Sequence, residues 1–561
     1  MPDERSAEEL IRAFALKNAV QHGGSAKVPP VLGAVLGARP DLRPQAAEIA
    51  KLAARIVREV NGLTLEEQRR QLDAISPPPA LERKEREGVL PELPNAEPGK
   101  VVMRLAPYPS GQLHLGRARM AILNDEYVKR YRGRLILVID DTAGSAEKMP
   151  VPEAYDGIPR DLRWLGVEFH DVVYKSDRLE IFYEYAKRFL EEGWAYVCTC
   201  DVSTLRRNRA EGRECKCRSR TVEENLELWQ RMIDGGFAEG EAVVRLKTDM
   251  RDPDTAFRDR VLLRISERTH PRVGNKYRVW PMLEFSWAID DHLLGITHIL
   301  RGKDLMMEDR MERFMWDLLG WPHPVIVHHG LLQIAGVKIS SSACRRKIES
   351  GEYEGWDDPR TWTIGSLRVR GFKPEAIRSF ILSCGLTLTD VTVPIESLYA
   401  ENRKMVDSIA NRYNFVEHPV RISVEDAPRV DEVSVWFHPD FHDRGTRTIK
   451  VNTEVIYVSR DDFEKFRGKV VRLKDLFNIR LGETSTYAGA DLVQSMPKIH
   501  WVSEPSLKTQ VMMPDGRLVS GLSDPGVGEL SVGSLVQFVR FGFCRLDSWR
   551  DGTAFFRYAH P

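Results

Sequence analysis

A loop rich in proline and glycine carries the groups needed to bind phosphate. It runs from Pro107 to Arg117 as Pro-Tyr-Pro-Ser-Gly-Gln-Leu-His-Leu-Gly-Arg. Gly111 and Gly116 let the backbone approach a ligand where a β-carbon would clash. A helix that begins near His114 would direct unpaired N–H groups and its positive dipole end toward an anion. The His114 imidazole can also donate a hydrogen bond to a phosphate oxygen. We therefore predict an anion-binding loop, although such a loop before a helix is weak evidence by itself.

Four of the seven cysteines form two close pairs. One pair is Cys198 and Cys200, and the other is Cys215 and Cys217. Four thiolates on two short segments suit a tetrahedral zinc ion, and a full set of protein ligands is typical of a structural site. The alternative is a set of free thiols, and the remaining three cysteines are expected to serve packing alone.

The elements around the loop predict a parallel sheet. Residues 101–106 form a candidate buried strand, and residues 117–131 have helical spacing. The apolar run 135–139 is a second strand, which ends in Asp140-Asp141-Thr142. Strand, loop, helix and strand make a βαβ unit, and such units bind ligands at the carboxyl ends of their strands.

Bulk properties set wider limits. A chain of 561 residues is expected to form several domains. Lys and Arg together number 82, as do Asp and Glu, so net charge gives no argument for a nucleic-acid partner and any such surface must be local. No apolar run reaches the roughly 18 residues that a membrane span needs. The N-terminus does not resemble a signal peptide, and the cysteine pattern is typical of a reducing cytoplasm.

Both ends of the chain have their own patterns. Ser6-Ala7-Glu8-Glu9 resembles a capping box that starts a helix ending at Gly23-Gly24. Further helices are predicted over 43–60 and 65–75, before a break at Pro77–Pro79. After about residue 395, short alternating segments predict an all-β region that forms barrels, with strands at 432–437, 446–451, 470–473 and 534–540.

The loop from Pro107 to Arg117 resembles the signature of class I aminoacyl-tRNA synthetases, and His114–Arg117 matches their HIGH motif. The surrounding sequence resembles the glutamyl/glutaminyl branch, and the combination looks like the archaeal type of glutamyl-tRNA synthetase. The resemblance extends over most of the chain from residue 100, through segments that begin at Arg104, Leu123, Asp140, Asp290, Gly295, Arg301, Gly355, Asn402 and Ile499.

This resemblance implies an α/β fold with a Rossmann-type catalytic domain, an N-terminal helical extension and a C-terminal all-β region of barrels that binds the anticodon. The expected boundaries are a helical extension over 1–80, a linker over 81–99, a catalytic domain over 100–335 with an acceptor-end-binding insertion at about 197–278, a KMSKS-bearing helical segment over 336–395 and the anticodon-binding region over 396–561. In the family the insertion touches the acceptor end of tRNA. Its basic side chains would contact phosphates, or alternatively form a solvated face: Arg206, Arg207, Arg209, Arg213, Lys216, Arg218 and Arg220.

The resemblance also assigns site residues. His114 and Lys338 would be catalytic, and the ATP site would comprise Pro107, Pro109, Ser110, Gly111, His114, Gly116, Arg117, Lys338, Ser340, Ser341 and Ser342. Glutamate would be bound by Arg104, Ala106, Asp140 and Arg301, with Asp140 on the α-ammonium and the two arginines on the side-chain carboxylate. Because two guanidinium groups favour a carboxylate over an amide, Arg301 is the main argument for glutamate over glutamine. The alternative for Arg301 is an internal salt bridge with Asp304.

The chain departs from the family at several of these positions. The second lysine of the KMSKS motif is Ser341, and Arg345, Arg346 and Lys347 are hypothesised to supply its charge. Arg117 stands in place of the last histidine of HIGH, and Ala143-Gly144 in place of the usual Asp-Pro. Leu283 replaces a tyrosine expected in a strand of the pocket wall, and Trp280 and Trp287 are candidates to fill that space.

The function implied is ATP-dependent activation of L-glutamate and its transfer to tRNA-Glu, with tRNA-Gln as a second candidate. ATP with Mg²⁺ is the expected substrate, zinc the expected structural metal, and a monomer without membrane contact the expected state. Two alternatives stay open. One is a glutaminyl-tRNA synthetase, and the other is a tRNA-binding scaffold of the same fold that has lost catalysis.

Overall fold

The structure, a computed structural model, describes residues 6–21, 23–75, 90–143, 149–337 and 340–561. The proline break at Pro77–Pro79, Gly144 and the candidate catalytic Lys338 lie outside the described residues. The chain divides into two compact units, Met1–Val89 and Leu90–Pro561. In the part of the chain that the structure describes, no helix is both long and apolar enough to cross a membrane.

The N-terminal unit is helical. Ser6 caps its first helix as the sequence predicts, because Glu9 N–H donates to Ser6 Oγ at 3.3 Å and Ser6 N–H donates to the Glu9 carboxylate at 2.9 Å. Thr64 and Glu67 form a second capping box. Helix α2 was not predicted from the sequence; two prolines lie in its first turn, where their missing N–H groups cost nothing. The helices are α1 (Ala7–Gln21), α2 (Val28–Ala38), α3 (Ala46–Asn61) and α4 (Leu65–Ala74).

A five-stranded parallel sheet forms the centre of the larger unit. Along β2, alternate side chains enter two separate cores, Leu135, Leu137 and Ile139 on one face and Ile136 and Val138 on the other. Helices therefore cover both faces, which explains the continuous apolar run. The elements are β1 (Val102–Leu105), α5 (Leu115–Tyr131), β2 (Arg134–Ile139), α6 (Pro152–Trp164), β3 (Asp171–Tyr174), α7 (Leu179–Glu191), then α10 (Leu283–Leu293), β8 (His298–Gly302), α11 (Met306–Leu319) and β9 (Val325–His329).

The strand order of this sheet is β3-β2-β1-β8-β9. The chain moves outward from β1 to β3 and then returns to the other side of β1 with β8. The order therefore reverses between β1 and β8, and a crevice for ligands opens at the carboxyl ends of strands at such a point. The predicted Rossmann-type domain is confirmed.

An insertion separates α7 from α10. It contains an antiparallel four-stranded sheet of order β4-β5-β6-β7 and two helices. Leu283 begins α10 and does not lie in a strand as predicted, because the strand before it ends at Pro281. The elements are β4 (Ala195–Cys198), α8 (Val202–Glu211), α9 (Val222–Ile233), β5 (Val243–Leu246), β6 (Val261–Ile265) and β7 (Val279–Pro281).

The segment after β9 is mainly helical and leads to the C-terminal region. It contains a two-stranded parallel pair, β10 with β11. Its elements are β10 (Leu332–Ala335), α12 (Ser341–Glu349), α13 (Ile364–Arg370), α14 (Pro374–Ser383), β11 (Val391–Pro394) and α15 (Ile395–Val406).

The C-terminal region is mainly β, as predicted, and contains two seven-stranded sheets and one two-stranded sheet. The edge strands of the first sheet, β12 and β13, are separated in the chain by Asn414 alone, so this sheet curls round until its edges meet. The edges of the second, β21 and β22, are likewise neighbours in the chain. The elements are β12 (Asn411–Tyr413), β13 (Phe415–Glu417), β14 (Pro419–Glu425), β15 (Glu432–Trp436), β16 (Thr446–Lys450), β17 (Ile456–Ser459), α16 (Arg460–Phe466), β18 (Val470–Leu473), β19 (Asn478–Arg480), β20 (Thr484–Tyr487), β21 (Lys498–Ile499), β22 (Val502–Ser503), β23 (Leu507–Met512), β24 (Leu518–Ser523), β25 (Leu535–Phe538), β26 (Gly542–Arg550) and β27 (Thr553–His560).

Residues 90–99, assigned to a linker by the sequence analysis, pack against the catalytic domain. Leu90 and Leu93 are buried in its core. The Tyr127 hydroxyl donates to Pro91 O at 2.9 Å, and Leu93 N–H donates to the Tyr131 hydroxyl at 3.1 Å. Because the surrounding sequence is charged and contains prolines, the burial of these two leucines was not predicted.

Candidate active site

The candidate phosphate loop connects β1 to α5 at the carboxyl edge of the parallel sheet. His114 is the N-cap of α5 and has an extended backbone. Hydrogen bonds fix the loop to its neighbours, because Asp140 N–H donates to Pro107 O at 3.1 Å and Val151 N–H donates to Pro109 O at 2.9 Å. The first turn of α5 thus has a fixed position beside the end of β2.

The His114 side chain is a neutral imidazole that can donate a hydrogen bond. Its Nδ1 accepts a hydrogen bond from Arg117 N–H at 3.4 Å, so the ring proton lies on Nε2. Burial, with the nearby Arg117 charge, lowers the pKa of His114 to about 3. Burial also lowers the pKa of Arg117, whose Nη1 donates to Tyr108 O at 2.9 Å. A neutral imidazole beside a guanidinium can therefore face an anion at neutral pH.

The two glycines of the loop have a different role from the one predicted. A β-carbon on Gly111 would overlap the indole ring of Trp356, so the close neighbour there is a side chain of this chain and not a ligand. A β-carbon on Gly116 would lie 3.2 Å from the His114 ring. Both glycines therefore permit packing that fixes the loop and the His114 imidazole.

A cavity of 520 Å³ opens beside this loop. It brings together residues of the HIGH-like loop, the end of β2, the start of α10 and the first turns of α12. Its lining comprises Tyr108, Ser110, His114, Arg117, Asp140, Thr142, Ala143, Arg264, Pro281, Met282, Leu283, Ser341, Ser342 and Arg345. Two loops far apart in the sequence, carrying the HIGH-like and KMSKS-like motifs, thus share one cavity.

Of the KMSKS-like segment, the described residues are Ser340, Ser341 and Ser342, which form the start of α12. Ser340 is its N-cap and accepts a hydrogen bond from Ala343 N–H at 3.4 Å. Arg345 lines the cavity and its Nη1 donates to Met149 O at 3.4 Å. Arg346 is exposed, and Lys347 donates to the Glu352 carboxylate at 2.9 Å. Of the three cations hypothesised to replace the missing lysine, Arg345 is the one beside the cavity.

A second cavity of 400 Å³ adjoins the first at the crevice between β1 and β8. The two share Tyr108, Arg117, Asp140 and Leu283. The second contains all four predicted glutamate-binding residues, within a lining of Arg104, Leu105, Ala106, Pro107, Tyr108, Leu113, Arg117, Met120, Asp140, Leu283, Trp287, Leu300, Arg301, Asp304 and Leu305. The adjoining volumes would let a ligand in one react with a ligand in the other.

Arg104 and Arg301, two of the three arginines that line the second cavity, are buried and already paired. Arg104 binds the Asp291 carboxylate through Nε and Nη2, the latter at 3.0 Å. Arg301 binds Glu312 through both terminal nitrogens, with Nη1 at 3.0 Å, and Asp309 lies 3.3 Å from the same nitrogen. Burial raises the pKa of Glu312 to about 7, against the lowering effect of Arg301. Arg301 therefore does form an internal salt bridge, but with Glu312 and not with Asp304.

Asp140 has a partner that the sequence analysis did not identify. Lys175 is fully buried, and its Nζ lies 3.3 Å from Asp140 Oδ1 while it donates to Ser286 Oγ at 2.7 Å. Burial lowers the pKa of Lys175. No spacing in the sequence marks Lys175, because the short turn after β3 carries it to Asp140. Asp140 borders both cavities, so the Lys175 ammonium holds its carboxylate where they meet.

The four clustered cysteines converge in the insertion. All four Sγ atoms lie within 4.8 Å of one another. Cys198 and Cys215 are 3.9 Å apart at sulfur, as are Cys200 and Cys217, and none is in a disulfide. Tetrahedral zinc with bonds of about 2.3 Å would need sulfurs about 3.8 Å apart. The Arg245 guanidinium lies 3.8 Å from two of these sulfurs and would offset the negative charge of a four-thiolate site.

The basic residues beside the cysteines divide into two groups. Arg209, Arg218 and Arg220 bond to backbone carbonyls of the insertion and stabilise it. The exposed members are Arg206, Arg207, Arg213 and Lys216. The second group is the one that solvent exposure makes accessible to a partner such as nucleic acid, although Arg213 also pairs with Glu211 at 3.1 Å.

A third cavity, of 520 Å³, lies in the C-terminal region. Four cations and two side-chain amides line it, and Trp436 beside them is half exposed and stacks on His442 at 4.3 Å. Stacking rings with cations and amides are groups that bind unpaired nucleotides. The lining is Arg412, Asn414, Ser434, Val435, Trp436, Pro439, Arg447, Lys474, Asp475, Gln537, Val539 and Arg540.

Comparison with known proteins agrees with this architecture. The family model for tRNA synthetases class I (E and Q), catalytic domain, matches residues 100–408, and the model for the anti-codon binding domain of the same class matches residues 410–494. A curated glutamate–tRNA ligase of Pyrococcus furiosus is 45% identical over 572 residues, covering 99% of each chain. Those of Methanopyrus kandleri and Archaeoglobus fulgidus are each 42% identical, covering 100% and 99% of this chain and 100% of their own. The chain therefore belongs to the class I tRNA synthetases of the E and Q family.

Proposed function

We propose that the protein is a glutamate–tRNA ligase, which activates L-glutamate with ATP and transfers it to the 3′ end of tRNA-Glu. The observation that carries the proposal is the pair of adjoining cavities. One is bordered by a neutral histidine and three arginines, and the other by the buried guanidinium groups of Arg104 and Arg301. The glutamate–tRNA ligases that match over the full chain support the same substrate.

In the proposed first step, an α-carboxylate oxygen of glutamate attacks the α-phosphorus of ATP. The bond to the bridging oxygen breaks, and pyrophosphate leaves with its Mg²⁺. His114 Nε2–H and the guanidinium groups of Arg117 and Arg345 would stabilise the charge that develops on the phosphates, together with Lys338. Ser340, Ser341 and Ser342 would border the departing pyrophosphate. We assign to Arg345 the charge that the second lysine of the KMSKS motif has in the family.

Glutamate would lie in the second cavity with its ammonium group on Asp140 and its side-chain carboxylate toward Arg104 and Arg301. Each arginine is held by its own carboxylate, but a guanidinium has five N–H donors and bidentate pairing uses two of them. The donors that remain would bind the substrate, and Ala106 leaves room for its backbone. In the second step, a ribose hydroxyl of the tRNA attacks the glutamyl carbonyl carbon, and AMP leaves as the hydroxyl proton is released.

We also propose a structural zinc ion on Cys198, Cys200, Cys215 and Cys217. The sulfur spacing and the buried Arg245 fit this ion, which would join the strand end at Cys198 to the turn at Cys217. The exposed basic side chains nearby would then face the acceptor end of the tRNA. The third cavity, formed in part by the region that matches an anti-codon binding domain, would take an unpaired nucleotide of the anticodon loop.

One charging experiment tests the proposal against its alternatives. Purified protein, which we expect to act in the cytoplasm as a monomer, is supplied with ATP-Mg²⁺, purified tRNA-Glu or tRNA-Gln, and labelled glutamate or glutamine. We expect glutamate on tRNA-Glu, and the tRNA-Gln arm decides whether that tRNA is a second substrate. Attachment of glutamine alone would identify a glutaminyl enzyme, and tRNA binding without any charging would identify a scaffold.

A further inference from the structure

Trp287 borders the second cavity together with Leu283, the position at which the resemblance leads us to expect a tyrosine. It is on α10, one helical turn after Leu283, so both side chains border the cavity from the same face of the helix. Trp287 is 6% exposed, and its indole N–H has no hydrogen-bond partner among the described residues. No hydrogen bond within the described part of the chain therefore accounts for a tryptophan here, and its contacts are made through the ring.

Three cationic groups surround that ring. The Arg104 guanidinium carbon lies 4.3 Å from the ring centre, and that of Arg301 lies 5.2 Å from it. The ammonium nitrogen of Lys175 is also 5.2 Å away. All three distances are within the roughly 6 Å at which a cation is attracted to an aromatic face, and indole attracts cations more strongly than the ring of tyrosine or phenylalanine.

Each of these cations also lies beside a separate carboxylate, which for Lys175 is Asp140 at 3.3 Å. Asp291, one helical turn after Trp287 on α10, holds Arg104, while Glu312 on α11 holds Arg301. These pairs neutralise charge and alone would leave little attraction for an incoming carboxylate. The indole ring acts differently, because it stabilises and orients the cations without adding a negative charge that would repel the ligand.

We propose that Trp287 is a positioning residue for glutamate specificity, holding Arg104 and Arg301 with their free donors toward the side-chain carboxylate of the substrate. This inference rests on the proposed function and extends it. An aromatic face of this chain would thus contribute to the selection of glutamate over glutamine. An uncharged glutamine side chain gains less from guanidinium groups held in this way, so the indole ring contributes to the discrimination itself.

The test compares Trp287→Met with Trp287→Phe. Methionine fills an irregular space but has no aromatic face. Phenylalanine has a volume similar to that of methionine and keeps an aromatic face, which attracts cations less strongly than indole does. Glutamate-dependent pyrophosphate exchange is measured with tRNA present. For W287M we expect the KM for glutamate to rise about tenfold or more, with the KM for ATP within about twofold of wild type. The ratio of kcat/KM for glutamate to that for glutamine should fall with it, and W287F should recover most of both.

Trp280→Met is the matched control. Trp280 is fully buried, stacks on His270 at 5.0 Å and does not border the second cavity. We expect W280M to leave the glutamate-to-glutamine ratio unchanged. Equal effects of W287M and W287F, no effect of either, or a parallel loss of ATP and glutamate binding would each overturn the inference. Absence of exchange in the wild-type protein would instead refute the proposed function, so the two failures are distinguishable.

Discussion

The Arg301–Glu312 pair allows substrate binding to be separated from internal charge pairing. Arg301 is 1% exposed and Glu312 fully buried, so Arg301→Gln removes a buried cation and leaves the Glu312 carboxylate without its main partner. Breaking a buried pair on one side typically costs about 3–5 kcal/mol, and less where the remaining carboxyl takes up a proton. We therefore expect R301Q to lower the thermal unfolding midpoint of the protein, and Arg301→Gln with Glu312→Gln to recover most of that loss.

The pH dependence of this loss has a defined sign. The pKa of Glu312 is already raised to about 7 while Arg301 lowers it, so R301Q raises it further. A carboxyl whose pKa is higher in the folded than in the unfolded state binds more protons when folded. Stability consequently falls as pH rises from the unfolded to the folded pKa, by at most about 1.4 kcal/mol per pH unit. Between pH 6 and 8 the midpoint of R301Q should fall more steeply than that of wild type, and adding Glu312→Gln should remove this excess slope.

Glutamate activation should not recover with stability. A hydrogen bond to a charged group contributes about 1.5–3 kcal/mol, which corresponds to roughly 10- to 150-fold in kcat/KM for glutamate. We expect that loss in both R301Q and the double variant, measured by pyrophosphate exchange with tRNA present. Normal glutamate kinetics in the stable double variant would show that Arg301 serves only to neutralise Glu312, and the argument for glutamate recognition by Arg301 would be refuted.

Three further predictions concern the other parts of the molecule. His114→Ala should lower pyrophosphate exchange about 100-fold by removing a transition-state donor. Since the His114 pKa is lowered to about 3, His114 should cause no inflection near pH 6.5 in the pH profile of wild-type exchange activity. An inflection there that disappears in H114A would contradict a neutral donor. Cys215→Ser should lower both the amount of bound zinc and the thermal unfolding midpoint. Cys384→Ser, the control, should leave both at the wild-type value. Full stability after a chelator removes the zinc would refute a structural ion. Arg412→Gln should raise the KM for tRNA in charging while exchange at saturating tRNA stays near wild type, and an unchanged tRNA KM would exclude this contact.

Local patterns in the sequence predicted much of the fold. The βαβ unit was predictable because a buried strand, a loop and a helix of 3.6-residue period follow one another, and the period-2 segments correctly indicated the C-terminal strands. Strand β18 has the predicted bounds, Val470–Leu473. The helix at Val28–Ala38 was missed because its apolar residues give no stripe, and Leu90 and Leu93 because a proline-rich segment suggested a linker.

In the candidate site, the side chains that line the cavity were predictable from the sequence, but their partners were not. Arg104, Asp140 and Arg301 all border the second cavity, as the resemblance implied. Their partners depend on distant parts of the chain: Asp291 is 187 positions after Arg104, and Lys175 meets Asp140 from the next strand of the sheet. No spacing rule reports such pairs, because the tertiary fold sets them. The role of Gly111 was misjudged for the same reason, since Trp356 approaches it from 245 positions away in a segment whose packing the sequence does not reveal.

A structure of the protein with a non-hydrolysable glutamyl-adenylate analogue tests the central claim most directly. We expect the adenylate phosphate to lie beside His114 and the ammonium group on Asp140. We expect the side-chain carboxylate to bind Arg104 and Arg301, the two cations that contact the Trp287 ring. An analogue whose side chain points away from both arginines, or whose phosphate lies outside the cavity of His114, would contradict it.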